Sequence, residues 1–156
     1  TLVNDAPFSL GSKPLVLGPR PFRATNVSND EDVLSFAPSL AALLGCDGIT
    51  TSDNPKEQEI EQLSDVCSAY SAVVMGTYNG HLHPGQLALV NRLSQELPTL
   101  CVALRNPYDL AYVTNKVRSI AAYAYTESAI HALAQVVLGK AEATGVLPVA
   151  LVEQGA

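Results

Sequence analysis

Residues 71–104, SAVVMGTYNGHLHPGQLALVNRLSQELPTLCVAL, decide the fold class. Ser71–Thr77 holds the apolar run Val73, Val74 and Met75, and Thr99–Leu104 holds a second such run. Short apolar runs bounded by turn residues suit strands buried on both faces. Between them, Pro84–Leu97 places Leu87, Val90 and Leu97 at helical spacing, with the polar side chains turned elsewhere. Strand, helix, strand in this order is a βαβ unit, and βαβ units build parallel sheets with helices on both faces.

The same alternation continues in both directions. Upstream, Pro14–Leu17 is a strand-like run ended by Gly18-Pro19, and Pro38–Leu44 reads as a helix with Leu40, Leu43 and Leu44 on one face and Gly45 at its end. Asp47–Thr51 is a weaker strand. Asn54-Pro55 opens the clearest helix, with Asn54 as its cap and Pro55 in its first turn. Ile60, Leu63, Val66 and Cys67 share its apolar face, and Glu57, Glu59, Glu61 and Asp65 point elsewhere. Downstream, Val117–Tyr123 reads as a strand and Ser128–Leu138 as a helix carrying Ile130, Leu133, Ala134 and Val137, ended by Gly139. Val146–Leu151 reads as a last extended segment. The expectation is one domain over residues 1–156: a three-layer α/β/α sandwich with a mostly parallel sheet of five or six strands. Pro19–Phe36 is its longest irregular piece, and it lacks the Asp-x-Asp-x-Asp-Gly order of a calcium loop.

Composition bounds the function. Of 156 residues, 47% are hydrophobic and only 15% charged, which excludes an unfolded tail. The net charge of −6 gives no general attraction for phosphate backbones or anionic lipid, so neither nucleic acid nor membrane is expected as a partner. No apolar stretch reaches the length of a membrane helix, and no signal-peptide pattern is visible. The first residue is Thr1, so the sequence reads as a processed product or a piece of a longer chain. Cys46, Cys67 and Cys101 form no Cys-x-x-Cys pair, and Cys67 and Cys101 read as small buried hydrophobes.

In open α/β sheets, ligands sit beyond the carboxyl ends of the strands. Gly18–Arg23, Gly76–Gln86 and Arg105–Asp109 occupy those places, and none is a phosphate loop. His81 and His83 are metal-ligand types, but the sequence places no third ligand, so neither a metal nor any other cofactor is expected. In Arg105–Leu110, Asn106 can cap a short helix, Pro107 can take its first position, and Asp109 can accept from backbone N–H groups near its start. No Gly-x-Ser-x-Gly elbow exists, and Glu127, the one carboxylate near a late strand end, reads as a helix-start residue.

Three segments together resemble the C-terminal α/β-sandwich domain of family 3 glycoside hydrolases, in the β-N-acetylhexosaminidase branch. They are Ala72–Gln86 (AVVMGTYNGHLHPGQ), Thr99–Leu110 (TLCVALRNPYDL) and Tyr123–Pro148 (YAYTESAIHALAQVVLGKAEATGVLP). The resemblance implies that a catalytic (β/α)₈ barrel precedes this domain and carries the nucleophilic aspartate. In the β-glucosidase branch the sandwich supplies the acid/base glutamate from the loop after the strand matching Ala72–Thr77. Here that loop, Tyr78–Gln86, holds no carboxylate, which fits the hexosaminidase branch, where a barrel histidine and aspartate serve instead. The resemblance therefore implies no catalytic residue in this chain. Asn79, His81 and Arg105 are the candidates for the rim of a substrate cleft shared with the barrel. The expected partner is that barrel, and an exposed apolar contact face would also let the isolated chain dimerise. The alternative is a free-standing module that binds a carbohydrate or a protein.

Overall fold

The computed structural model describes residues 2–20, 35–123 and 125–145. Val146–Leu151 and most of Pro19–Phe36 lie outside them. The elements in chain order are β1 (Leu2–Asn4), β2 (Pro14–Pro19), α1 (Phe36–Leu44), β3 (Asp47–Thr51), α2 (Glu57–Cys67), β4 (Ala72–Thr77), α3 (Pro84–Ser94), β5 (Thr99–Ala103), the 3₁₀ turn η1 (Pro107–Tyr112), β6 (Arg118–Ala121) and α4 (Glu127–Val137). The six strands form one sheet in the order β1-β6-β5-β4-β2-β3. Five are parallel, as the alternation required. The sixth, β1, runs antiparallel along the edge of β6, with Leu2 opposite Ile120. Three residues are too few to show a hydrophobic period, so this strand leaves no trace in the sequence pattern.

The central strands β4 and β5 are buried along their whole length. One face packs Leu15, Leu17, Met75 and Cys101 under Ile60 and Leu63 of α2 and Leu89, Val90 and Leu93 of α3. The other packs Val16, Val74, Leu100 and Val102 under Phe36 and Leu40 of α1 and Ile130, Leu133 and Ala134 of α4. These are the three layers of the sandwich. Phe36 is the largest fully buried side chain, and two glycines make room for it. A Cβ on Gly18 would stand 2.7 Å from its ring, and one on Gly76 2.6 Å. The ring thus lies directly on the backbones of β2 and β4.

Two local expectations are corrected. Asn54 does not cap α2, which starts at Glu57 behind an extended Lys56. Its Oδ1 accepts instead from the backbone N–H of Gly85 at 2.8 Å, an orphan donor in the first turn of α3. A Cβ on Gly85 would sit 2.1 Å from the Pro55 carbonyl oxygen, so glycine is what lets the two helix starts meet. Val66 is largely exposed rather than part of the α2 core stripe; Ser64 takes the inner position and donates to Glu96 on the far side.

Candidate functional site at the strand carboxyl ends

The strand order reverses at β2 and β4. The chain passes from β2 outward to β3, then returns to the other side of β2 for β4, β5 and β6. Connections leaving a sheet in opposite directions open a crevice beyond the strand ends. A pocket of about 190 Å³ lies there, lined by Arg20 after β2, Asp53 after β3, and Tyr78, Asn79, His83 and Gln86 after β4.

Gln86 holds this pocket together. It is buried in the first turn of α3. Its Oε1 accepts from Tyr78 N–H at 2.9 Å, and its Nε2 donates to the carbonyls of Asp53 at 2.6 Å and Tyr78 at 3.2 Å. One side chain thereby fixes the loops after β3 and β4. In the sequence Gln86 belongs both to the loop Tyr78–Gln86 and to the first turn of the helix expected over Pro84–Leu97. The available signal was its position: with Leu89, Val90 and Leu93 it completes the inner stripe of the helix.

Beside the pocket, Asp109 is the second organiser. It is only 1% exposed. Its Oδ2 accepts from the Thr77 hydroxyl at 2.8 Å, and its Oδ1 accepts from the His81 backbone N–H at 2.9 Å. The same Oδ1 lies 3.0 Å from His81 Nδ1. The expectation that Asp109 serves the start of its own helix is corrected. Asn106 alone caps η1, accepting from Tyr108 N–H at 3.2 Å, and the Asp109 carboxylate turns inward to the β4 loop. Gly80 allows this closeness, since a Cβ there would stand 3.1 Å from the carboxyl group. The His81–Asp109 pairing was not legible, because 28 residues separate its members and nothing local announces it.

Of the three candidates, Asn79 after β4 lines the pocket, whereas His81 after β4 and Arg105 after β5 are not among its lining residues. Asn79 takes a left-handed backbone at φ 52°, and its side chain accepts from Asn106 Nδ2 at 3.3 Å. The Arg105 guanidinium stands 5.8 Å from the Tyr78 ring centroid and 3.4 Å from its hydroxyl. Tyr78 meets Tyr125 edge-on at 5.9 Å, and the Tyr125 hydroxyl accepts from Phe36 N–H. Burial pushes the Tyr125 phenol up to about 12, a rise that the Phe36 bond only partly offsets. His83 stands at the start of α3 without capping it, and the His81 Nδ1 meets Asp109, which leaves the other nitrogen of the His81 ring outside that contact. Among the described residues, no three His, Cys, Asp or Glu side chains converge. No described helix is long and apolar enough to cross a membrane.

Over 99% of its length, at 27% identity and a TM-score of 0.78, the chain matches 31% of a family 3 β-N-acetylglucosaminidase from Paenibacillus sp. str. FPU-7. Two of its structural relatives are family 3 glycoside hydrolases. A fungal multi-domain β-N-acetylglucosaminidase of that family, which also holds a GCN5-related glucosamine N-acetyltransferase region, shares the fold at 22% identity and a TM-score of 0.71. That match covers 96% of this chain and 17% of the fungal one. The β-glucoside phosphorylase BglX shares the fold more distantly, at 20% identity and a TM-score of 0.54, over 91% of this chain and 28% of its own. No family model matches the chain, nor does any curated protein. The chain thus spans under a third of each of these enzymes. The resemblance read from the three sequence segments agrees with the first of them.

Proposed function

We propose that this chain is the non-catalytic C-terminal domain of a glycoside hydrolase acting on O-glycosyl bonds of β-N-acetylglucosaminides, and that it packs against and supports a catalytic (β/α)₈ barrel. The observation that carries this reading is the fit of nearly the whole chain to about a third of a family 3 β-N-acetylglucosaminidase. The chemistry supports it. Retaining hydrolysis needs an attacking carboxylate and a proton donor at fixed separation. Asp109, the carboxylate nearest His81, is buried and fully engaged by Thr77 and His81, so it cannot reach an anomeric carbon. Among the described residues, Asp53 lines the pocket without a second acid beside it.

The contact face is the carboxyl end of the sheet. Leu82 is 66% exposed there and Tyr108 50%, flanking Asn79, His81 and Arg105. Exposed apolar side chains beside a polar rim suit a surface that another domain covers. The same face would carry self-association of the isolated chain. A free-standing carbohydrate-binding module is the second reading; the pocket at the switch point favours it, since that pocket needs no other domain to form.

The test is release of nitrophenol from the para-nitrophenyl β-N-acetylglucosaminide. The chain alone is expected to give no turnover, and addition of a separately expressed family 3 barrel is expected to raise turnover above that of the barrel alone. Turnover by the chain alone, lost in His81→Ala or His83→Ala, would place the catalytic centre here and sink the proposal.

A further inference from the structure

We propose that His81 is a sugar-contacting residue, whose ring Nε2 accepts a hydrogen bond from a hydroxyl of an N-acetylglucosamine-type saccharide bound beyond the ends of β4 and β5. This rests on the reading that the strand carboxyl ends face a carbohydrate cleft, and it names the group in this chain that touches the sugar.

The argument begins with Asp109. Joining η1 to the β4 loop needs only the Thr77 hydroxyl and the His81 backbone N–H, and both are already bonded to it at 2.8 and 2.9 Å. The ring contact at 3.0 Å does something further. A carboxylate accepts, so Nδ1 carries the proton that points at it, and in the uncharged tautomer of this kind the lone pair lies on Nε2. One buried oxygen thus holds the backbone and the ring of the same residue, and it sets the ring's tautomer as well as its direction. The two other histidines have nothing comparable. The His131 ring is 3.9 Å from the exposed Glu127, and His83 makes no cap bond.

The loop is shaped around this arrangement at some local cost. Asn79 is held at positive φ, and Gly80 sits where any side chain would crowd the carboxyl group. The ring remains reachable, with its side chain 29% exposed. Beside it stands the half-exposed Tyr108 ring, centroids 6.4 Å apart and planes 72° to each other. An oriented acceptor beside an aromatic wall matches a pyranose, which offers hydroxyl donors around its edge and C–H groups on its face. In that tautomer Nε2 offers an anion no donor, and Arg105 is turned onto Tyr78.

The experiment uses nitrogen-15 NMR of the imidazoles in the full chain, with N,N′-diacetylchitobiose as the probe. The expected free-state result is a protonated Nδ1 and an unprotonated Nε2 for His81, and loss of that pattern in Asp109→Asn. On titration to millimolar chitobiose, His81 Nε2 and the Tyr108 amide are expected to shift together, with His131 unmoved. His81→Gln keeps the backbone bond to Asp109, so it should melt close to the parent while weakening the Tyr108 response at least tenfold. An Nε2-protonated His81, a His81 resonance that stays still at saturating chitobiose, or an unchanged Tyr108 response in His81→Gln would each overturn the proposal. Restored hydrolysis with a barrel alongside a silent His81 would remove this inference and leave the domain assignment standing. A shifting His81 without restored hydrolysis would do the reverse.

Discussion

At the scale of the residue, the molecule depends on a few buried polar side chains that bind distant segments. Asp109→Ala would leave the Thr77 hydroxyl and the His81 N–H without their acceptor. Orphaned buried donors to a charged group cost about 1–3 kcal/mol each, so a loss of about 3 kcal/mol is expected in urea unfolding. A loss under about 1 kcal/mol would mean that water replaces the carboxylate at no penalty. The thiols give a second test. Burial pushes the Cys67 thiol up to about 11 and Cys101 higher still, while Cys46 is only partly covered and is raised by burial and then by Asp47. Native protein should therefore react with Ellman's reagent at Cys46 first, and more slowly than a free thiol would. Early labelling of Cys101 would contradict its burial. Sequence alone read Cys67 and Cys101 correctly, because apolar context suffices for a small hydrophobe. The helix stripe signals that Gln86 is buried, but neither its role nor that of Asp109 is legible, since both depend on which loops the fold brings together.

Elements were legible wherever the hydrophobic period was long enough to count. α2, α3 and α4 and the strands β2, β4 and β5 each carry several apolar side chains at a fixed spacing. The helix starts were harder, since Asn54 has the right chemistry for a cap and uses it on a neighbouring helix. Thr126 at α4 behaves as a cap in the ordinary way, accepting from Ala129 N–H at 3.1 Å. Thr126→Ala should cost about 1 kcal/mol, and Thr126→Ser almost nothing. The seat of α1 is more demanding. Gly76→Ala would push a methyl into the Phe36 ring and to 3.1 Å from Leu104, in a core with nowhere to yield. Overpacking of this kind costs about 1–3 kcal/mol, readable as a lowered melting temperature. A neutral Gly76→Ala would show that α1 can slide on the sheet.

For the whole molecule, alternation of strand and helix was enough to give three layers and a parallel sheet, because few other architectures can bury such runs. It could not give the strand order or the pocket at its reversal, since both depend on which side of β2 the chain chooses. Stability against alkali is a property of the assembled layers. Cys67 and Tyr125 are both raised by burial, from 9.0 to about 11 and from 10.0 to about 12. A raised group stabilises the fold fully below its unfolded value, and that contribution disappears as pH climbs through the folded one. The urea midpoint should thus hold steady up to about pH 9 and fall progressively by about pH 12. Tyr125→Phe should flatten the upper part of that fall. An identical slope in the variant would mean that the phenol is not what links the layers to pH. One further consequence comes from β1. Leu2 pairs with β6, the Asn4 side chain donates to the Val117 carbonyl at 2.8 Å and the Asn115 carbonyl at 2.9 Å, and Asp5 meets Arg118 at 3.3 Å. Removing residues 1–5 would uncover a row of unpaired amides and carbonyls along β6, next to the most apolar strands of the molecule. Such a bare flank recruits strands from other molecules. The shortened chain should scatter light on warming well before its secondary structure melts, which would make this three-residue strand a guard against self-pairing.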